Sequence, residues 1–379
     1  MSAPESAVAD AAATNDRRFM ALALSLGRRG LGRTWPNPAV GAVIVNNGEI
    51  VGRGWTQPSG RPHAEIEALR RAGEAARDAT LYVTLEPCSH HGKSPPCADA
   101  VITFGIARVV SALQDPNPEV AGAGHARLRS AGITVDVGVG AAAARRDHAG
   151  HIRRMREGRP QVMLKLAISA DGKAAGAGRQ RVAITGEAVR NRVHLLRAQS
   201  DAIMIGSGTV LADDPVLTCR LPGMLNMSPT RVILDSALRL PIRSRLVQTA
   251  CDTPLWVVAA DHASPAPEAS LRGHGVEVIR TAEKNGRLDL TAVLKLLAAR
   301  GITRLMVEGG PTLASAFISA DLVDEALLFH SPTRVGDDGL AALEPHARTI
   351  LDQHLKCNSS EQVGLDRQEY YERESLADV

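Results

Sequence analysis

The stretch from His63 to Cys97 constrains this chain more than any other. It opens Pro62-His63-Ala64-Glu65 and closes Pro87-Cys88-Ser89-His90-His91-Gly92-Lys93-Ser94-Pro95-Pro96-Cys97. One imidazole, two thiols and a carboxylate act together only if the chain between them folds back on itself. Zinc that activates water takes three protein ligands and keeps a fourth position open. His63, Cys88 and Cys97 form such a ligand set, and Glu65 is placed as a proton carrier that is not a ligand. Both segments fall at expected helix starts, where unpaired N–H groups and the helix dipole favour thiolate over thiol.

A His, a Glu two residues later and a downstream Pro-Cys…Cys pair form the pattern of zinc nucleobase deaminases, in which the cysteines usually stand as Cys-x-x-Cys. Here the second cysteine follows nine positions after the first (97 − 88 = 9). Two plainer arrangements use the same residues. The cysteines could be small buried hydrophobes, or His90 or His91 could close a purely structural zinc site. The order of His63, Glu65 and Pro87-Cys88, each after an expected strand or loop, favours the catalytic arrangement.

A length of 379 residues predicts two domains, each with its own core. The net charge of +3 is close to balance, and no Lys or Arg run marks a nucleic-acid track. Aromatic residues make up only 3%, which leaves little for a platform that stacks single strands. Residues 1–14 are small and polar and are expected to be a disordered tail rather than a signal peptide. No apolar run reaches the roughly 18 residues of a transmembrane helix. Five cysteines, an odd number in a long chain, argue against a disulfide framework and for a reducing cytoplasm.

Periodicity and turn residues predict a first α/β domain over 15–145. Asn15 is expected to cap a helix over 16–29. Strands are expected at 39–45 and 49–55 around the Asn46-Asn47-Gly48 turn. A helix from His63 to Gly73, a strand at 80–85 and a helix from near Pro96 to Gly105 follow. Strand, helix and strand at 108–113, 121–131 and 133–137 complete a three-layer arrangement. Residues 141–156 read as polar and helical, basic at Arg153, Arg154 and Arg156 and broken by Gly158-Arg159-Pro160; 146–160 is expected to be the interdomain connector, its charges a solvated face. From 161 to 379 alternation restarts, with strands at 162–168, 202–205, 231–234, 255–259, 276–279 and 305–307. Helices at 187–199, 291–300 and 312–319 lie among them, making a second α/β domain.

That second half carries three polar clusters. Lys165-Leu166-Ala167 runs into Ser169-Ala170-Asp171-Gly172-Lys173. Gly206-Ser207-Gly208-Thr209 leads to Asp213-Asp214-Pro215-Val216-Leu217-Thr218. Glu308-Gly309-Gly310-Pro311-Thr312 lies between a strand and a helix. Glycines between a strand end and a helix start let backbone N–H groups approach a phosphate. No G-x-G-x-x-G is present, so a Rossmann dinucleotide site is not supported.

Taken together, Thr34-Trp35-Pro36-Asn37-Pro38, Val40-Gly41, His63-Ala64-Glu65, Thr84-Leu85-Glu86-Pro87-Cys88-Ser89-His90 and Asp115-Pro116-Asn117-Pro118 resemble the bifunctional riboflavin-biosynthesis deaminase/reductases. The resemblance covers nearly the whole chain from about Asp16. The expanded Cys88…Cys97 loop is similar to that family's own form and unlike ordinary cytidine, tRNA-adenosine or guanine deaminases. It implies a cytidine-deaminase-like three-layer α/β/α domain followed by a dihydrofolate-reductase-like α/β domain. It also implies one Zn2+ per chain, NADPH, a pyrimidine ribosyl phosphate substrate and a homo-oligomer, dimer or tetramer, in the cytoplasm, with neither nucleic acid nor membrane as partner. Asn37 and the His90/Lys93 segment are implied at the deaminase pocket. Ala167, Thr209, Asp213, Gly309, Gly310, Pro311 and Thr312 are implied at the nucleotide, and Arg197, Leu217, Arg220 and Glu308 at the substrate, where a guanidinium fork suits phosphate.

The chain departs from the family pattern in places. Ala42 stands where a third, non-ligand cysteine is usual. Before Ile184-Thr185, Ala183 replaces a tryptophan, and Arg181 replaces a small hydroxyl residue at the substrate side of the reductase. These changes keep an alternative open, a monofunctional deaminase with a weakened or non-catalytic second domain.

Overall fold

In the computed structural model of the chain, residues 3–90, 92 and 95–373 are described, with side chains from residue 13 onward. The expectations placed on Met1, Ser2, His91 and Lys93 lie outside the described residues. The chain divides into two compact units, Met1–Gly158 and Arg159–Val379.

In the first unit, helix α1 (Ala3–Gly27) begins well before the expected cap. Residues 3–14 are thus helical rather than a disordered tail, and Asn15 lies inside the helix. Alanine is the strongest helix former, and the segment holds six of them. Strands β1 (Gly41–Asn46) and β2 (Glu49–Trp55) form the expected hairpin. Then come α2 (Ala64–Ala72), β3 (Thr80–Val83), α3 (Cys97–Thr103), β4 (Arg108–Ser111), α4 (Ala123–Ser130), β5 (Thr134–Val137), α5 (Ala141–Asp147) and α6 (Ala149–Glu157). The sheet order is β2-β1-β3-β4-β5, with β3, β4 and β5 parallel and β1 antiparallel to both its neighbours.

Gly41 and Gly54 show why the unit has three layers. A Cβ on Gly41 would come 1.8 Å from the Ala23 carbonyl oxygen of α1, and one on Gly54 would come 2.2 Å from the Ala64 oxygen of α2. Gly54 pairs with Ala42, next to Gly41, so the two glycines face opposite sides of the sheet. One helix therefore lies on each face, and the core of Met20, Val43, Ile44, Leu69, Leu81, Val83 and Val109 fills between them.

The segment expected as a solvated connector is folded into this unit. It forms the end of α5 and all of α6, broken at His148 and closed by Gly158 in the left-handed conformation. His148, His151 and Arg153 are buried. Residues 148–153 are buried without interruption, so the start of α6 is packed all round, which charge alone did not reveal.

The second unit runs β6 (Gln161–Ile168), β7 (Lys173–Ala175), α7 (Glu187–Ala198), β8 (Ala202–Gly206), α8 (Ser207–Asp213), β9 (Thr230–Leu234), α9 (Arg245–Gln248) and β10 (Leu255–Ala260). It continues with α10 (Pro265–Gly273), β11 (Glu277–Thr281), β12 (Glu283–Lys284), β13 (Arg287–Leu288), α11 (Leu290–Ala299), β14 (Arg304–Val307) and α12 (Pro311–Ser319). It ends with β15 (Glu325–His330), β16 (Leu340–Ala341), α13 (Pro345–His354), β17 (Lys356–Val363) and β18 (Asp366–Glu372). The main sheet has nine strands in the order β11-β10-β9-β8-β14-β6-β15-β18-β17. All neighbours from β11 to β15 are parallel, and β15, β18 and β17 are antiparallel. Ligands in open parallel sheets bind beyond the carboxyl ends of the strands, which here places β6, β14 and β8 side by side. No helix among the described residues is long and apolar enough to cross a membrane.

Candidate active sites

In the first unit three chain segments deliver the ligand set. His63 is the N-cap of α2 and puts Glu65 in its first turn. Strand β3 leads through Leu85-Glu86-Pro87 to Cys88, and Cys97 opens α3 after Pro96. His63 Nδ1 lies 3.7 Å from Cys88 Sγ and 3.3 Å from Cys97 Sγ, and the three donor atoms lie within 4.8 Å of one another. A tetrahedron with zinc–nitrogen and zinc–sulfur bonds of ordinary length has N···S edges of about 3.6 Å. The donor set therefore fits zinc. The Cys97 backbone N–H donates to Cys88 Sγ at 3.3 Å, and a hydrogen bond from Cys97 with the nearby His63 holds the Cys88 thiol down at about 4 against the effect of burial. The Cys97 thiol is held well above its ordinary value by its bond to Cys88 and by burial.

Glu65 is 3% exposed. In the surroundings that the protein alone provides, burial pushes its carboxyl up to about 7, against the charge of His63. A divalent cation nearby pulls such a value down again. Asn37 Nδ2 sits 2.9 Å from the Gly60 carbonyl oxygen and 3.3 Å from His63 Nε2. Asn37 thus touches the ligand as well as lining the cavity, which measures about 170 Å³ and includes Glu65, His90, Asp115, Asn117, His151 and Arg154 in its wall.

Glu86, also in that wall, has a different task. Its carboxylate accepts backbone N–H groups of Asp115 at 3.1 Å, Gly122 at 2.9 Å and His125 at 3.0 Å. It ties the Cys88 loop to the start of α4, a role that the sequence alone does not show.

In the second unit a cavity of about 610 Å³ opens beyond β6, β8 and β14. Ala167, Thr209, Asp213, Gly309, Gly310, Pro311 and Thr312 all line it, with Arg181 and Glu308. Gly310 is the N-cap of α12, and Arg179 and Arg239 add positive charge to the wall. A helix start with arginines around it suits the phosphates of a dinucleotide, so the cavity fits NADPH.

Glu308 is the buried anion of this site. Arg197 donates through Nε to Oε2 at 3.0 Å and through Nη2 to Oε1 at 2.9 Å, and Lys165 Nζ lies 3.5 Å away. Arg197 is therefore one-half of a bidentate pair rather than a surface residue, and reaches the cavity through Glu308. Lys165, quoted in its motif but not assigned, belongs to the same cluster. Ala183 is exposed and off the cavity wall, and Leu217 and Arg220 also lie outside it. Leu217 is buried with φ +60, and the Arg220 backbone N–H is turned to His194 Nδ1 at 3.3 Å. The bend after Asp214 carries these residues away from the wall; motif order could not show that.

Burial raises the Glu308 carboxyl, but the charges of Arg197 and Lys165 outweigh it and leave it below its ordinary value of 4.5. Folded Glu308 thus binds a proton less readily than in the unfolded chain. Its stabilisation is full above about pH 4.5 and fades as acid protonates it. Arg197→Ala is expected to lower the stability of this unit by about 3 kcal/mol, since a buried charge loses its main partner. Thermal melts of wild type and variant between pH 3.5 and 7 check this, and the gap should narrow at the acid end.

The fold and sites define a two-part enzyme, a zinc-type deaminase followed by a pyrimidine reductase. Residues 13–113 match the cytidine and deoxycytidylate deaminase zinc-binding region, and residues 160–368 match the RibD C-terminal domain. The chain is 45% identical over 365 residues to the riboflavin biosynthesis protein RibD of Escherichia coli, covering 93% of this chain and 97% of that one. It is 40% identical to the Aquifex aeolicus protein of the same name over 94% of this chain and 98% of the other. Among solved structures, Acinetobacter baumannii RibD superposes with a TM-score of 0.84 at 36% identity, covering 95% of this chain and 99% of that chain. A Thermotoga maritima diaminohydroxyphosphoribosylaminopyrimidine deaminase/5-amino-6-(5-phosphoribosylamino)uracil reductase gives 0.81 at 34%, with the same coverage. The chain belongs to the RibD family of bifunctional deaminase/reductases of riboflavin biosynthesis.

Proposed function

We propose that Met1–Gly158 hydrolyses the 2-amino group of 2,5-diamino-6-(5-phosphoribosylamino)pyrimidin-4(3H)-one, and that Arg159–Val379 reduces the resulting aminouracil with NADPH to the ribitylamino product. The observation that carries this reading is the clustering of His63, Cys88 and Cys97 donor atoms, with buried Glu65 in the lining of the same cavity as His63 and Cys88. His63, Cys88 and Cys97 hold one Zn2+, which when bound supplies an acidified water and a Lewis acid. Glu65 takes a proton from the attacking water and gives it to the ring nitrogen; it then carries a second proton to the departing amine, so that amidine and water become carbonyl and ammonia. Asn37, beside His63 in the cavity lining, orients the ring, and Arg154, also in the lining, suits the 5′-phosphate.

NADPH supplies the hydride to C1′ of the opened ribosylamine. Ala167, Thr209, Asp213 and Gly309 to Thr312 hold the nucleotide. Arg181 and the Glu308–Arg197–Lys165 cluster face the substrate, where Lys165 can hold a proton near the oxygen released at C4′. The departures at 181 and 183 leave this cluster intact, and that is why the two-step reading is preferred to a deaminase with an idle second unit. All five cysteines are free, which supports a reducing cytoplasm. We assign a homo-oligomer as the working assembly.

Product masses from the zinc-loaded protein, given substrate with and without NADPH, test the scheme. Deaminated product alone, then reduced product on adding NADPH, is expected; no deamination in either tube would sink it. Chelation should cost at least 100-fold in ammonia release and lower the first unit's melting temperature, because metal binding adds to folding free energy. NADPH binding to the second unit should not change, as titration by cofactor fluorescence would show.

A further inference from the structure

The reductase cavity carries an arginine whose charge no group of the chain answers. Arg181 stands where a small hydroxyl residue is usual, lines the cavity wall and is exposed. Its guanidinium makes neither a hydrogen bond nor an ion pair with any described residue. The nearby charges inside the site are answered. Arg197 and Lys165 share Glu308, and Arg197 also donates through Nη1 to the Thr218 carbonyl oxygen at 3.1 Å.

Two groups feel the charge of Arg181. In the cavity wall, burial raises the Asp213 carboxyl and Arg181 opposes the rise. Beyond the wall, burial lowers the Arg220 guanidinium, and the charges of Arg197, Arg245 and Arg181 lower it further, with Glu308 acting the other way. Arg181 therefore marks the edge of the cavity on the side of Glu308 and Arg197, with Arg220 past it. The Arg220 side chain, too, has no hydrogen bond or ion pair among the described residues; only its backbone N–H is used.

Like charges held near one another without a counter-charge repel, and an anion that enters between them relieves both. A guanidinium is a planar fork that meets a phosphate with two parallel hydrogen bonds. The start of α12, with Arg179 and Arg239, already suits the phosphates of the nucleotide. Arg181 and Arg220 lie instead with the cluster that faces the substrate. The anion that reaches them there is the 5′-phosphate of the ribosyl compound.

We propose that Arg181 is a specificity residue of the reductase, which together with Arg220 binds the phosphate monoester of the substrate. This rests on the reductase reading above. It makes the second unit select phosphorylated over dephosphorylated aminouracil through a charge that the usual hydroxyl lacks.

The test follows NADPH oxidation by the full-length protein with 5-amino-6-(5-phosphoribosylamino)uracil and with its dephosphorylated form. Wild type should prefer the phosphorylated compound about 100-fold in kcat/KM. Arg181→Gln should cut that preference about 10-fold by raising KM for the phosphorylated compound, with kcat within about threefold. Arg181→Lys, which keeps the charge but not the fork, should recover part of it. The preference for NADPH over NADH should be the same in all three proteins. Equal handling of the two compounds by wild type overturns the inference. So does an Arg181→Gln protein that keeps the wild-type preference, or one in which both compounds suffer equally. A loss that falls on the choice between NADPH and NADH would put Arg181 at the nucleotide's 2′-phosphate and overturn it as well. If wild type reduces neither compound with NADPH, the reductase reading itself falls and takes this inference with it.

Discussion

Glu65→Gln is expected to lower ammonia release about 10³-fold or more while zinc content and NADPH-dependent reduction of supplied aminouracil stay at wild-type levels. The amide keeps the size and buried position of the carboxyl but cannot take a proton from water or pass one to the ring, and such transfers contribute about 10²–10⁴-fold. Metal analysis and two separate assays on one preparation check this. Undiminished ammonia release would leave Glu65 a mere neighbour of a structural metal. Loss of zinc would make it part of the ligand set. Either result counts against the role assigned here.

Gly124→Ala should also disable the deaminase, without touching a ligand. Inside a helix such as α4, alanine is ordinarily favoured over glycine by roughly 0.5–1 kcal/mol. Here a Cβ at position 124 would stand 2.0 Å from the Pro87 carbonyl oxygen and 3.1 Å from Glu86 Oε1. Both belong to the loop that presents Cys88, and a backbone oxygen cannot turn aside as a side chain can. The loop must move, and with it Cys88 Sγ. Zinc stoichiometry should fall below one and ammonia release by at least 10-fold, with the first unit's melting temperature lowered and reductase activity retained. A variant with full zinc and wild-type deamination would show that α4 and the ligand loop are less tightly seated than the distances state.

The legible part of this chain was local. His63, Glu65, Cys88 and Cys97 could be picked out because metal chemistry admits few residue types and the intervals between them are short. The hairpin of β1 and β2 followed from Asn46-Asn47-Gly48, and α3 from Pro96. The strands of the second unit's parallel core were visible as apolar β-rich runs, since both their faces are covered. Strands β17 and β18 at its antiparallel edge gave no such signal. β17 is almost wholly exposed, and β15 and β18 bury Glu325, Asp366, Gln368 and Glu372. In β18 those polar groups break the apolar period, whereas β15 does carry the buried run Ala326 to Phe329 and was readable in the same way as the parallel strands.

The cluster of α6 shows the same division. Read along the chain, residues 146–160 are a charged stretch; folded, they bring His151 to the deaminase cavity and bury Arg153. Arg197 reads as one more charge on a polar helix until Glu308, more than a hundred residues later in the chain, is found against it. The sequence by itself determined the chemistry available and the two alternating α/β patterns, because ligand types, turn residues and apolar periods act over a few residues. Tertiary structure alone decided which polar groups face one another and which glycines cannot bear a side chain. Pairing and close approach depend on distances between segments far apart in the chain, and those distances exist only once the sheets and helices have packed.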